Sequence, residues 1–307
     1  MRVLITGGAG TLGAELATRL LGDERVDSID VVDTFATSSP DRLPKDDRLK
    51  VHEGSVANRS FLEEVFAVAK PSVVVHSAAT YANPDDWESD ANTNIMGAIN
   101  LVRVAEAGSI ERFINFQTML CYGRPDSVPV DEQAPLRPRG SYAITKVAAE
   151  QFIMQSKLPA ISLRIGSVLS MGLSIGPLPS FYRQVQLGEV CMVSPAVRDF
   201  LDPEDFFAFT DKVLFGPRIT GVFNVSTGAG HSIEEIHALV CNHFRVSGHT
   251  KVVPISENDV AALVLDSQKA QQTFGWSPTT SFEESVSNLL DWYDIHGVGT
   301  TYSHHRS

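Results

Sequence analysis

The first half of the chain alternates short apolar runs with segments whose apolar residues recur every three or four positions. The run Val-Leu-Ile at 3–5 is typical of a buried strand, whereas Leu12, Leu16 and Leu20 share one face of a predicted helix over 11–21. The same patterns predict strands at 29–32, 49–51, 73–75, 113–116 and 161–164, and helices at 60–69, 91–107 and 142–156. Strands that alternate with helices pair in parallel, and continuous apolar strands lie in a sheet covered on both faces. We therefore predict a doubly wound α/β domain over residues 1–165.

The second half is less regular, and we predict a smaller α/β C-terminal lobe over residues 166–307. Loops are expected to dominate 166–200 because that stretch holds Gly172, Gly176, Pro177, Pro179 and Pro195. Further on, the patterns predict strands at 221–225 and 251–254 and helices at 232–243, 267–274 and 282–296. A segment near 220–230 is expected to return to the first domain.

Charge and cysteine content narrow the classes of function. The net charge of -12 and the pI of about 5.2 argue against nucleic acid or an anionic membrane as the main partner. Three widely spaced cysteines favour neither a disulfide framework nor a metal site, so no metal is predicted. No apolar run reaches the length of about 18 residues that a membrane span needs. We expect a cytoplasmic protein.

A glycine-rich turn joins the first predicted strand to the first predicted helix. Gly8, Gly10 and Gly13 have the G-x-G-x-x-G spacing, which lets the backbone approach a pyrophosphate at the N-terminus of a helix. Asp33 ends the second predicted strand about 20 residues after that turn, where a carboxylate binds the adenosine ribose. Such a carboxylate repels a 2′-phosphate. The pattern predicts a Rossmann domain that binds NAD rather than NADP.

A second pair of residues adds chemistry to this fold. Tyr142 and Lys146 are four positions apart on a predicted helix, so they lie on one face, where an ammonium lowers the pKa of a phenol. Thr118 follows the predicted strand 113–116, at the sheet edge where ligands bind in such folds. Taken alone, Tyr142 and Lys146 could simply be two surface residues of a helix, and Thr118 could be an ordinary threonine at the end of a strand. Their position in a dinucleotide fold favours a proton acceptor, Tyr142, with a hydroxyl that positions the substrate.

Several motifs together resemble the extended short-chain dehydrogenase/reductase family, specifically its nucleotide-sugar epimerases and dehydratases. The stretches 6–13, 54–56, 76–79, 94–101 and 116–123 are similar to its TGGxGxxG, GDV, HxAA, NxxGxxNL and SSxxVYG motifs. The resemblance implies that Thr118, Tyr142 and Lys146 are catalytic. It also implies a set of NAD-binding residues: Gly7, Gly10, Thr11, Leu12, Gly13, Asp33, Ser55, Val56, Ser77, Ala78, Ala79, Asn94, Tyr142 and Lys146.

The C-terminal half resembles the family's substrate-binding motifs. Arg198-Asp199-Phe200 is similar to RDF, whose arginine contacts the nucleotide diphosphate. The implied partners are a nucleotide-diphosphate sugar, first of all a UDP-sugar, and a second subunit that pairs through helices 91–107 and 142–156. Ser167 stands where the family has asparagine, and no arginine precedes Asp259 where a second diphosphate-binding arginine is usual. The expected substrate-binding residues are Thr80, Met119, Leu120, Ser167, Arg198 and Asp259.

The residues after Thr118 discriminate among the reactions of the family. Family dehydratases carry an Asp-Glu pair there, but Met119 and Leu120 cannot transfer a proton. The resemblance therefore implies an epimerase that acts through a transient 4-keto sugar, most often at C4. Two alternatives stay open: a dehydratase or another 4-keto-forming enzyme with an acid from Tyr81, Cys121 or His76, and a non-catalytic relative that only binds NAD.

Overall fold

A computed structural model describes residues 1–81, 83–255 and 259–299. The chain divides into two compact units. The first comprises residues 1–118, 140–164 and 213–223, and the second comprises 119–139, 165–212 and the described residues from 224 onward. Residues 119–139 thus lie in the second unit and 213–219 in the first, whereas the sequence predicts the reverse for both stretches.

The strands are short outside the first unit. In chain order they are β1 (Arg2–Thr6), β2 (Ser28–Asp33), β3 (Leu49–Glu53), β4 (Val73–His76), β5 (Arg112–Thr118), β6 (Ala160–Ile165), β7 (Ser167–Val168), β8 (Val190–Val193), β9 (Val197–Arg198), β10 (Phe200–Leu201), β11 (Gly221–Val225), β12 (His231–Ser232), β13 (His249–Val252) and β14 (Ala262–Leu263).

The helices, also in chain order, are α1 (Thr11–Leu21), α2 (Arg59–Ala69), α3 (Trp87–Asp90), α4 (Gly97–Glu106), α5 (Gly140–Met154), α6 (Pro177–Leu187), α7 (Pro203–Phe215), α8 (Ile233–Phe244), α9 (Gln268–Phe274) and α10 (Phe282–His296). A π-helical segment, Ala91–Met96, joins α3 to α4, and short 3₁₀ turns lie at Pro40–Arg42 and Met119–Tyr122. Within the described ranges, no helix combines the length and the apolar character that crossing a bilayer requires.

A seven-stranded sheet forms the centre of the first unit, in the order β11-β6-β5-β4-β1-β2-β3. β1 pairs in parallel with both β2 and β4, so Ile5 lies opposite Val31 on one side and Val75 on the other. The strand order reverses direction between β1 and β4, and ligands of open α/β sheets bind at the carboxyl ends of the strands at such a point. The predicted doubly wound α/β fold is confirmed.

Burial shows why these segments form strands and helices. The last four residues of β1 and all four of β4 are buried, as strands covered on both faces require. α1 turns Leu16, Ala17 and Leu20 inward. Asn58 precedes α2, and its side chain accepts a hydrogen bond from the Phe61 amide and so caps the helix.

The second unit has its own hydrophobic core, which α6, α8 and α10 share. Phe181, Ile236 and Leu289 are among its buried members. α8 begins with a capping box, in which the Ser232 hydroxyl and the Glu235 carboxylate each accept a hydrogen bond from the other residue's amide. Four of its strands pair as β10 with β7 and β13 with β8, while β12, β9 and β14 form a three-stranded sheet.

Two predictions of secondary structure were wrong in detail. The stretch 166–200 contains the eleven-residue helix α6 and strand β8, although loops were expected there. Pro177 is the first residue of α6, a position where proline is favoured because its missing amide hydrogen has no partner in a helix. Gly188 ends α6 in the left-handed conformation. The helical region predicted from residue 91 starts earlier, at Trp87, where the Asp86 side chain caps α3.

Candidate active site

The glycine-rich turn leaves no room for side chains. Gly7 has a φ of +66°, and a Cβ atom there would lie 2.6 Å from the backbone of Ala78. A Cβ on Gly13 would lie 2.4 Å from the Gly7 carbonyl oxygen, and one on Gly8 would lie 2.7 Å from Val31. The turn after β1 therefore packs directly against the start of α1 and the loop after β4, as a pyrophosphate-binding turn requires.

The N-terminus of α1 suits an anion. Its N-cap is Gly10, and within residues 1–81 no side chain caps the helix and no acidic residue lies in its first turn. The first amide groups of a helix lack partners within the helix, so those of Thr11, Leu12 and Gly13 are available to a phosphate. The Arg42 guanidinium donates to the Thr11 hydroxyl over 3.3 Å and adds positive charge to this end of the helix.

Asp33 lies beside this turn at the end of β2. Its Oδ2 accepts a hydrogen bond from the Ala9 amide at 2.9 Å, and its Oδ1 accepts from the Phe35 amide at 2.9 Å and the Ser38 hydroxyl at 3.0 Å. A carboxylate has about four acceptor sites, so this arrangement leaves about one for a ribose hydroxyl. The geometry fits a carboxylate that accepts a hydrogen bond from one ribose hydroxyl.

The loop after β3 is fixed by the helix that follows β4. The Asn100 side chain donates to the carbonyl oxygens of Val56, at 3.3 Å, and Ala57, at 2.8 Å. Gly97 is needed beneath it, because a Cβ there would lie 2.4 Å from Val56. Ser55 and Val56, the predicted adenine contacts, are thereby held at the same sheet edge as Asp33, since β2 and β3 pair in parallel.

Asn94 ties the loop after β4 to α5. Its Oδ1 accepts from the Thr80 amide at 2.9 Å, and its Nδ2 donates to the Thr80 carbonyl oxygen and to the Thr145 hydroxyl. The buried Asp90 accepts from the Thr80 hydroxyl at 2.9 Å. The sequence predicts that Asn94 binds the cofactor; in this structure its side-chain amide is bonded to Thr80 and Thr145, and so it fixes Thr80. Its π-helical segment is a type often found at functional sites.

Lys146 is anchored to the strand that ends at Thr118. Its ammonium group, on a residue only 3% exposed, donates to the Phe116 carbonyl oxygen at 2.7 Å. Gln117 donates to the Lys146 carbonyl oxygen at 2.7 Å, and its own side-chain oxygen accepts from the Thr118 amide at 2.8 Å. These bonds fix Lys146, one turn after Tyr142 on α5, against the end of β5. The structure thus places all three predicted catalytic residues in the first unit.

The protein around Tyr142 disfavours its phenolate. Burial raises the pKa of Tyr142 above its ordinary value, and the nearby Tyr81 and Asp90 raise that pKa further. The Tyr81 ring meets the Tyr142 ring edge-on, with centroids 5.9 Å apart. Burial lowers the pKa of Lys146 from 10.5 to about 8, although the Glu150 carboxylate acts in the opposite direction. The net direction at Tyr142 is therefore opposite to the lowering that the sequence predicted from Lys146 alone.

A buried polar network beside Lys146 had no counterpart in the sequence analysis. Glu150 and Arg164 form an ion pair at 2.8 Å, with side chains 3% and 6% exposed. The Ser162 hydroxyl donates to Glu150 at 2.6 Å and accepts from Asn115 at 2.9 Å. The network joins α5 to β6 and β5, and α5 and β5 are the two elements that carry the predicted catalytic residues. The sequence signal that could have revealed this network is the presence of Asn115, Ser162 and Arg164 in strands that are otherwise apolar.

Of the alternative acids, His76 is a poor proton donor. His76 is buried and its Nδ1 lies 2.8 Å from the Thr6 hydroxyl. Burial and the positive charge of Lys146 lower the pKa of His76 to about 3, so it is neutral at neutral pH. In the second unit, Cys121 is a fully buried, reduced cysteine.

The second unit brings two predicted substrate residues, Arg198 and Asp259, into contact. Arg198 pairs with the Asp259 carboxylate, and it also donates to the Val260 carbonyl oxygen at 2.9 Å. The Ser167 amide donates to the Asp199 carbonyl oxygen at 2.9 Å, which places the Ser167 main chain beside the residue that follows Arg198. The other two predicted substrate residues of this unit, Met119 and Leu120, lie in the 3₁₀ turn; Met119 is 4% exposed.

Comparison with known proteins identifies the family. Residues 3–225 match the NAD dependent epimerase/dehydratase family. The chain belongs to this family. NAD is the cofactor that the family is named for, and the prediction of NAD as cofactor is confirmed.

Individual relatives carry more specific names. The enzyme WbmG of Bordetella bronchiseptica, solved in complex with NAD and with NAD and UDP, is 45% identical, and its structure covers 100% of this chain and 98% of its own with a TM-score of 0.93. WbmH of the same organism, solved with NAD+, is 31% identical over 97% of this chain and 99% of its own, with a TM-score of 0.90. UDP-glucose 4-epimerase of Corynebacterium glutamicum is 28% identical over 91% of both chains.

Proposed function

We propose that this protein is an NAD-dependent UDP-sugar epimerase that inverts C4 of the sugar. Tyr142 is the general base, Lys146 supplies positive charge beside it, and Thr118 orients the reacting hydroxyl. The proposal depends most on the anchoring of Lys146 at the Phe116 carbonyl oxygen, because that bond ties the Tyr142 helix to the strand that ends at Thr118.

Because the pKa of Tyr142 is raised, Tyr142 can act as a base only if nearby positive charge stabilises its phenolate. Its phenol is protonated at neutral pH in the resting protein, so base strength has to come from positive charge placed beside it. Lys146 provides part of that charge from a buried, fixed position. Bound NAD+ would provide a further positive charge and accept, then return, the hydride. Tyr142 would take the proton from the C4 hydroxyl and give it back to the same oxygen after the keto sugar has turned.

Epimerisation is favoured over dehydration by what surrounds Thr118. A dehydratase needs an acid to expel the leaving hydroxyl, and Met119 and Leu120 offer none. Two of the three alternative acids are unsuited to the task. His76 is neutral and bonded to Thr6, while Cys121 is fully buried.

A uridine nucleotide is the favoured substrate moiety. WbmG has been solved with UDP, and the relative from C. glutamicum is named a UDP-glucose 4-epimerase. In this chain, Arg198 and Asp259 form a pair that could bind the diphosphate and a ribose hydroxyl, and the Ser167 main chain lies beside the neighbouring Asp199. A guanidinium binds phosphate oxygens through paired donors, so Arg198 suits that role.

The proposal is tested by incubating the NAD-loaded protein with a panel of UDP-hexoses and identifying the products by mass spectrometry and NMR. We expect a product of unchanged mass with C4 inverted, and no product from Tyr142→Phe. A product that has lost water would favour the dehydratase. Unchanged biological activity of Tyr142→Phe would favour the NAD-binding relative without catalysis.

We also propose a homodimer that pairs through the π-helical segment, α4 and α5. Met96, Ile144 and Phe152 are 46%, 51% and 51% exposed, and the last two share one face of α5 because they are eight residues apart. A second copy of this face is the partner expected. Light scattering should show a dimer that Ile144→Glu with Phe152→Glu converts to a monomer; a wild-type monomer would contradict the proposal.

A further inference from the structure

We propose that Arg124 is the second cation of the diphosphate site, acting together with Arg198. The inference rests on the proposed function, because it presupposes a nucleotide-diphosphate ligand. It assigns a binding role to a residue in the loop after the 3₁₀ turn Met119–Tyr122.

Both guanidinium groups are held at the same residue, Asp259. Arg124 donates from Nε and Nη2 to the Asp259 main-chain carbonyl oxygen, at 3.3 and 3.2 Å. Arg198 pairs with the Asp259 carboxylate and donates to the main-chain oxygens of Val197 and Val260, at 2.8 and 2.9 Å. Arg124 thus lies at the main chain of Asp259, and Arg198 lies at its side chain.

The charges at this site favour a second cation. Arg198 and Asp259 have side chains only 11% and 18% exposed, and the carboxylate neutralises the guanidinium in this pair. Each phosphate of a nucleotide-diphosphate sugar is negatively charged at neutral pH. Arg198 alone therefore brings no net charge to match the ligand, whereas Arg124 adds a planar donor that can bind phosphate oxygens in pairs.

The main chain that carries Arg124 is fixed on its N-terminal side. Gly123 has a φ of +57°, and a Cβ there would lie 1.8 Å from the Arg137 carbonyl oxygen, so only glycine fits. The preceding Tyr122 is fully buried, and its hydroxyl donates to Asn224 at 2.6 Å. A side chain presented from a fixed base loses less conformational freedom when it binds a ligand. Arg124 itself is exposed, so a ligand can reach it.

The test compares UDP with uridine, which lacks the diphosphate. Binding of both is measured by titration calorimetry or ligand-observed NMR on the NAD-loaded wild type, Arg124→Gln, Arg124→Lys and the control Arg218→Gln. The control removes the same charge from a surface pair with Glu111. We expect Arg124→Gln to raise the Kd for UDP about tenfold and to leave uridine binding unchanged, because one charge-assisted contact is lost. The Kd of Arg124→Lys for UDP should lie between those of the wild type and Arg124→Gln, and the Kd of the control should equal that of the wild type.

Kinetics give a second readout. Arg124→Gln should raise KM for the UDP-hexose about tenfold and leave kcat near the wild-type value, because the proposed role of Arg124 is to bind the diphosphate and not to transfer a proton. The inference is overturned if Arg124→Gln binds UDP as tightly as the wild type, or if it weakens uridine and UDP by the same factor. A wild type that binds no UDP contradicts the proposed function as well, so the two failures are distinguishable.

Discussion

The buried charge of Lys146 is expected to lower the stability of the folded protein, although the proposed reaction depends on that charge. Its pKa falls from 10.5 to about 8 because the ammonium group is buried. The separation of these pKa values corresponds to about 3 kcal/mol of folding free energy at neutral pH. This penalty is fully present below a pH of about 8, where folded and unfolded chains are both charged, and it fades as the pH rises towards 10.5.

Lys146→Met removes the charge and keeps the length of the side chain. It also leaves the Phe116 carbonyl oxygen without the ammonium donor, at a cost of about 1–3 kcal/mol. We therefore expect a variant that is more stable than the wild type by about 1 kcal/mol at pH 7 and that has lost its epimerase activity. Relative to the variant, the wild type should gain about 2 kcal/mol between pH 7 and pH 10.

Urea unfolding of both proteins at pH 7 and pH 10 measures this difference. Other groups titrate in the same range, but they are common to both proteins and cancel in the comparison. A stability difference that is the same at both pH values would refute the reasoning, because the buried ammonium would then carry no penalty. Loss of activity alone would not rescue it.

Three further substitutions test separate parts of the site. Gly7→Ala should abolish NAD binding, measured by fluorescence titration, because its Cβ would meet the Ala78 backbone at 2.6 Å; Gly188→Ala, with a similar φ of +69° and open space, should cost only about 1 kcal/mol and bind NAD normally. Asp33→Asn should lower the ratio of NAD affinity to NADP affinity, measured by competition, because the carboxylate that repels a 2′-phosphate is removed. An unchanged ratio would contradict this role of Asp33. Glu150→Gln should destabilise the fold by about 3–5 kcal/mol in urea unfolding, because it leaves a guanidinium buried without its counter-ion; a loss below about 1 kcal/mol would contradict that picture.

The sheet of the first unit could be predicted from the sequence because its strands are covered on both faces. Continuous apolar runs such as β1 and β4, when helices alternate with them, are typical of a buried parallel sheet. The glycine turn and Asp33 were equally accessible, because the spacing follows from how close the backbone must approach a pyrophosphate.

The helix α6 shows where local signals mislead. Pro177 and Gly176 indicated a loop, yet they form the start of a helix whose other end is Gly188. Proline and glycine mark the ends of helices as well as turns. Only the packing of Phe181 and Tyr182 into the core of the second unit distinguishes a helix from a loop here.

The electrostatics of the site could not be predicted from spacing. Tyr142 and Lys146 are neighbours along one helix, but the pKa of Tyr142 is set by burial and by Tyr81 and Asp90, which come from a distant part of the chain. The Glu150–Arg164 pair and the meeting of Arg124 with Asp259 likewise depend on contacts that the spacing of residues does not reveal.

In the proposed reaction, a hydride leaves C4 of the sugar and returns to the same carbon within one turnover. A UDP-hexose that carries deuterium at C4, incubated with the NAD-loaded protein and without added NAD, tests it most directly. We predict a C4 epimer that keeps its deuterium at C4, with none released to solvent. Deuterium lost to water, or a product that forms only when NAD is added in stoichiometric amounts, would contradict the claim.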